Sequence, residues 1–183
     1  NIKFAANSQL PLNGFSVDWS THGISTSNWR GTQSVFCDTS SWYHLIWNFD
    51  SSPFKNELWV NGLLDTTYGN LSGYSDPNST QINNALVHNI GRYPHTDTDY
   101  FNGYMANVQF IDGAALDPSY FGETFEGNWI HRLYDGTSTV EGATPVSGLG
   151  GTNDKYGTNG FYLNFADESD LGKDVSGNGN DWE

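Results

Sequence analysis

The densest cluster of groups able to bind or react lies between residues 93 and 100, Tyr93-Pro94-His95-Thr96-Asp97-Thr98-Asp99-Tyr100. A sugar offers an apolar face that stacks on aromatic rings and a rim of hydroxyls that bind carboxylates and amides. Sites of that kind lie in loops at the edge of a scaffold. Tyr93, His95, Asp97, Asp99 and Tyr100 supply both kinds of group, and Trp129, two residues from His131, has the same make-up. These residues form the candidate glycan-binding set. The competing account is that Tyr93 and Tyr100 cover the edge of a core while their polar neighbours are solvated.

A second pattern could hold a metal ion. Asp174, Ser176 and Asn178 stand at the first, third and fifth positions of a loop with Gly179 at the sixth. Alternating oxygen ligands with glycine at the sharp turn is how a calcium loop begins. Calcium is therefore the cofactor to consider. Only one of the three is a carboxylate, and the acidic residue such loops carry at their twelfth position would fall beyond Glu183. The competing account is an Asx-rich turn closed by its own side chain-to-backbone bonds. Asp97 and Asp99 are a second possible calcium position.

The signatures of catalysis do not occur. A glycosidase needs two carboxyl groups facing the scissile bond at about 5–9.5 Å, and sandwich-fold glycosidases carry acids at alternate strand positions, as E-x-D-x-x-E. That motif is absent, and Asp167-Glu168-Ser169-Asp170 is turn-like. No G-x-S-x-G, phosphate loop or H-E-x-x-H is present, so nucleophile, nucleotide and zinc-protease readings have no support. His22, His44, His88, His95 and His131 show no paired ligand spacing. His44 and His88 fall within expected strands and are read as structural. The chain is read as non-enzymatic.

The elements that must position these groups are strands. Residues 42–50 are aromatic-rich, with Tyr43, Leu45, Trp47 and Phe49 on one face at period two. Glu57-Leu58-Trp59-Val60, Asn61-Gly62 and Leu63-Leu64-Asp65-Thr66 read as a hairpin, because Asn-Gly between apolar runs fits a type I′ turn. Residues 66–84 read as a surface loop. Residues 85–91 and 104–111 read as further strands, the latter with Tyr104, Ala106, Val108 and Phe110 on one face. Asp117 caps a short helical turn that starts at Pro118. In the terminal run Phe161-Tyr162-Leu163-Asn164-Phe165, residues Phe161, Leu163 and Phe165 alternate as a half-buried strand should.

Composition narrows the class. Of 183 residues, 21 are acidic and seven are Lys or Arg, giving a net charge of -14. Such a chain lacks the cations that nucleic-acid backbones and anionic lipids require, and no apolar run approaches the roughly 20 residues of a membrane span. The partners expected exclude nucleic acid and membrane insertion. Aromatics at 15% are too many for a disordered chain. Cys37 is the only cysteine, so no intrachain disulfide forms, and it is read as a small buried apolar residue.

Several spaced pieces carry a resemblance. They are Trp42-Tyr43-His44-Leu45, the run from Glu57 to Gly62, Asn89-Ile90-Gly91-Arg92, Tyr100-Phe101-Asn102-Gly103-Tyr104-Met105-Ala106 and Phe110-Ile111-Asp112-Gly113. In this order they resemble the concanavalin A-like, laminin-G-like jelly-roll superfamily over roughly residues 40–122. Residues 110–123, 156–165 and 171–182 look like laminin-G-like modules in structural proteins of tailed bacteriophages, marine phages above all. The resemblance implies an all-β fold, a two-sheet antiparallel β-sandwich of the jelly-roll type with an irregular Gly-rich C-terminal extension.

Few residues precede Trp42, which implies a truncated or rebuilt front. Residues 1–135 are expected to form the sandwich. Residues 136–183 are expected to be a Gly-rich connection plus a terminal strand that either begins a second module or returns to the sandwich. The implied function is a virion surface protein, in a tail fibre, an appendage or a capsid decoration. It would assemble as a homo-oligomer with other virion proteins and bind host-surface glycans. The alternatives are a secreted glycan-active enzyme or its accessory carbohydrate-binding module, and a purely architectural virion protein.

Overall fold

A computed structural model describes residues 2–6, 15–20, 29–32, 36–51, 54–65, 68–69, 83, 85, 88–91 and 100–183. The strands in chain order are β1 (Ile2–Ala6), β2 (Phe15–Ser20), β3 (Trp29–Thr32), β4 (Leu45–Ser51), β5 (Phe54–Val60) and β6 (Leu63–Leu64). They continue with β7 (Tyr68–Gly69), β8 (Val108–Phe110), β9 (Gly122–Phe125), β10 (Asn128–His131) and β11 (Phe161–Leu163). Among the described residues the only helical element is a 3-10 turn, Pro118–Tyr120. The protein is all-β, built of small antiparallel sheets ordered β1-β2-β3-β7, β4-β5-β6, β8-β11 and β9-β10.

The hairpin at Asn61-Gly62 anchors the centre. Asn61 and Gly62 take φ of 49° and 73°, the positive values a type I′ turn demands. β4 and β5 pair from Leu45↔Val60 to Ser51↔Phe54. That register sets Leu45 opposite Val60 and Trp47 opposite Leu58 on one face, where Phe36 and Tyr43 pack against them. Leu58 is 1% exposed, a burial worth about 1.5–3 kcal/mol. The other face of β4 is covered as well, because Ile46 and Asn48 are buried. A buried amide needs a partner. Asn48 finds one by donating Nδ2–H to the Leu116 carbonyl at 2.7 Å, a link across 68 residues of chain.

Asp117 caps the short turn, its Oδ1 accepting from the Ser119 N–H at 2.9 Å with Pro118 in the first helical position. β9 and β10 follow as a second tight hairpin, with Glu126 and Gly127 at φ of 49° and 79°. At the far end β11 pairs antiparallel with β8, Phe161↔Phe110, Tyr162↔Gln109 and Leu163↔Val108. The C-terminal strand thus lies against residues 108–110 of its own chain. Phe161 meets Phe110 at 5.7 Å and Trp182 at 4.9 Å, while Tyr134 stacks on Phe121 at 5.4 Å and meets Tyr156 edge-on at 5.2 Å. The Tyr156 hydroxyl donates to Gln109 Oε1 at 3.0 Å.

Several sequence expectations need correction. The strand expected over 42–50 begins only at Leu45, so His44 precedes it. The strand expected over 104–111 shrinks to Val108–Phe110. Asn107 turns to φ 54° and breaks the extended chain, leaving Tyr104 89% exposed rather than on a core face. Of residues 85–91, the described ones, Ala85 and residues 88–91, lie in no strand, and His88 is exposed. Part of the loop expected over 66–84 is β7. Phe165 takes φ 55° and ends the terminal alternation after Leu163. Cys37 is exposed, because the inward position goes to its neighbour Phe36, whose ring packs on Tyr43 at 5.2 Å.

Candidate functional site

The two tight hairpins meet around Trp129. In the β9–β10 ribbon Trp129 stands opposite Thr124, and His131 opposite Gly122, so these four share one face. The indole lies over the turn of the other hairpin. A Cβ placed on Gly62 would sit 2.1 Å from Trp129 Cε3, and one on Gly122 would sit 2.4 Å from Cζ2. Both glycines are therefore required by the ring's close approach, beyond what the turn asks of Gly62. The indole Nε1–H donates to His44 Nδ1 at 2.9 Å, and the two rings stack with centroids 5.9 Å apart at 19°.

His44 is held at its backbone. Its N–H donates to Asn61 Oδ1 at 2.8 Å and its carbonyl accepts from Asn61 N–H at 2.9 Å. Burial first, and the facing His131 second, pull the His44 imidazole down from 6.5 to about 4. At neutral pH it is uncharged, as an acceptor of the Trp129 N–H must be.

A shallow, open depression of about 250 Å³ lies beside this clamp, lined among others by Trp59, Asp117, Glu123, Thr124 and Trp129. It is smaller than the enclosed pockets of about 300–1,000 Å³ that surround drug-sized ligands. Asp117, Glu123 and Thr124 are exposed, and Trp129 is half-buried. Aromatic surface beside carboxylates and a hydroxyl can stack on one face of a polar ring and bind the hydroxyls at its rim.

Of the residues singled out by sequence, Trp129 lines this depression. Tyr100 is 60% exposed and does not line it. Tyr93, His95, Asp97 and Asp99 lie outside the described residues, and the second calcium position falls with them. Trp59, Asp117, Glu123, Thr124 and His44 were not in the candidate set. The Asn-Gly turn beside Trp59 and the Asp-Pro cap were the only local signals for any of them.

The C-terminal loop is built around Asp174. Asp174 Oδ1 accepts from the N–H groups of Tyr162 at 2.9 Å and Ser176 at 2.8 Å. Its Oδ2 accepts from the Ser176 hydroxyl and the Asn180 N–H, both at 2.9 Å. Burial pushes the carboxyl up, but these donors outweigh it and hold Asp174 below the usual carboxylate value of 3.8. Asn178 donates Nδ2–H to the carbonyls of Gly157 at 2.7 Å and Gly160 at 3.0 Å, and its Oδ1 accepts from Asn153 N–H at 2.7 Å. The three residues proposed as calcium ligands are brought together as a hub of turn bonds. A cation at Asp174 would have to displace four donors. Among the described residues no group of three or more His, Cys, Asp or Glu is gathered as a metal site.

No family model matches this chain, and neither a characterised protein nor a solved structure does.

Proposed function

We propose that this chain is a non-enzymatic surface component of a bacteriophage virion, in a tail fibre, appendage or capsid decoration, that recognises host-surface glycan through the depression beside Trp129. The resemblance of the sequence to laminin-G-like modules of phage structural proteins supports the setting. It also supports reading the antiparallel sheets as parts of a concanavalin A-like sandwich, in a subunit that assembles with copies of itself and with other virion proteins. The observation that carries the glycan reading is the meeting of Trp129 and Trp59 with Asp117, Glu123 and Thr124 in one open depression. With two carboxylates at the rim and a net charge of -14, the sugar is neutral or amino-bearing, since an acidic one would be repelled.

A broad glycan array tests this, with the reducing ends released from each bound glycan measured in parallel. Glu123→Ala and Thr124→Ala alter exposed positions, so each should weaken binding about tenfold by removing one hydrogen-bonding group, without unfolding the chain. Silence across the array would leave an architectural virion protein. Reducing ends that disappear in Glu123→Gln would make the protein an enzyme.

A further inference from the structure

Trp129 keeps its place beside the depression through three contacts. Gly62 and Gly122 admit the flat ring, and His44 Nδ1 accepts its N–H. The glycines cannot change state, but the imidazole can. We infer that His44 is the positioning residue of the depression: as a neutral acceptor it latches the Trp129 indole, and protonation at Nδ1 releases it. This rests on the reading of the depression as a glycan site.

Protonation at Nδ1 puts a donor where the acceptor was, so two N–H groups face each other across 2.9 Å. The groups around the imidazole give no relief. From β10 come uncharged Trp129 and the titratable His131, whose ring lies 5.9 Å away at 54° and would repel a second cation. From the turn between β5 and β6 comes Asn61, also uncharged. Among the described residues no carboxylate acts on His44. Among the described residues nothing favours the charged ring over its release into water, and the indole would lose its only hydrogen-bond partner among them.

Sequence separation makes this a latch between elements. His44 lies just ahead of β4 and Trp129 on β10, 85 residues apart, so breaking the bond loosens the β9–β10 ribbon at the edge of the depression while the indole still packs on Gly62. A residue that merely filled space would show no change with pH.

The test uses the full chain labelled with 15N-tryptophan, with the Trp129 indole resonance identified by its loss in Trp129→Phe. Acidification from neutral pH through about 4 should move that resonance and lower its protection from hydrogen exchange about tenfold relative to His44→Asn, the loss of one hydrogen bond. His44→Asn places Oδ1 where Nδ1 stood, accepts the N–H and cannot titrate, so its resonance should hold still. His131→Gln should raise the midpoint toward 6.5. Binding of a trimer of N-acetylglucosamine, an uncharged probe, should fall with the same midpoint in the parent and not in His44→Asn. An unmoved indole resonance overturns the inference. So does loss of protection at one and the same pH in the parent and in His44→Asn, which marks general acid unfolding. A resonance that moves as expected while the trimer binds at no pH supports the latch and counts against the glycan reading instead.

Discussion

Replacing Asp174 should be among the most damaging single changes in the C-terminal third of the chain. The carboxylate accepts three backbone N–H groups and one hydroxyl and is only 8% exposed. Hydrogen bonds to a charged group contribute about 1.5–3 kcal/mol each, and a buried donor left unpaired costs about 1–3 kcal/mol. The Ser176 hydroxyl can turn elsewhere, and water reaches half-buried Tyr162 and Asn180, so the four do not add in full. Asp174→Ala should then cost ~4 kcal/mol, against a total of about 5–15 kcal/mol for a domain. Asp174→Asn keeps one acceptor oxygen and should cost ~2 kcal/mol.

Urea unfolding followed by tryptophan fluorescence reads the difference. At a slope of ~2 kcal/mol per molar, the alanine variant should unfold about 2 M earlier. The pH dependence carries a fixed sign. The folded carboxyl titrates below 3.8, so the unfolded chain takes up the proton first as pH falls. The stabilisation is complete above the unfolded value and is lost as pH falls through the folded one. The gap between the parent and Asp174→Asn should therefore close below pH 3.8. Two results would refute the reasoning. One is an alanine variant within about 1 kcal/mol of the parent, the scale of an ordinary substitution. The other is a parent whose midpoint rises in millimolar calcium while that of Asp174→Ala does not, which would make the carboxylate a ligand.

Two further outcomes follow from the packing. Leu58→Ala empties the most buried side chain of the β4–β5 face and should cost about 2–5 kcal/mol, lowering the thermal midpoint by roughly 4–20 °C at about 2–4 °C per kcal/mol; a shift under a degree would mean that the site collapses without strain. Ending the chain after Gly160 removes β11 and leaves β8 with an open edge, so light scattering should show association. A truncated protein that stays monomeric and melts with the parent would show that β8 does not depend on its partner.

The parts of this fold legible in the sequence are those encoded within a few residues. Asn61-Gly62 specified its turn because both positions need positive φ, and Asp117-Pro118 specified a cap. Phe161 and Leu163 alternated correctly, but β8 could not be read as their partner, since an apolar pattern names a face and not a neighbour. Residues 1–41 yielded no strand, although β1, β2 and β3 lie there. β3 is Trp-Arg-Gly-Thr, with one apolar residue in four, so its order rests on ladder bonds that no side-chain period announces. Asn107, just before β8, and Phe165, two residues past β11, bound these strands by adopting positive φ, a choice that no apolar period announces.

Trp129 shows why a site is harder to read than a strand. Its residue type marked it as a binding candidate, while the partners that give it a setting include two distant residues, His44 and Gly62, beside Gly122 of its own hairpin. Gly62 reads as a turn glycine and Gly122 opens β9, yet both also serve to let an indole approach. The ring is accordingly part of the fold and part of the depression at once. Removing it would unlatch two hairpins as well as erase a stacking surface, so a loss of binding in Trp129→Ala could not be assigned to either. Glu123 and Thr124 line the same depression with exposed side chains, and changing those side chains leaves the backbone register of Thr124 opposite Trp129 in place, which is why substitutions there, and not at the tryptophan, separate what the site binds from what holds it together.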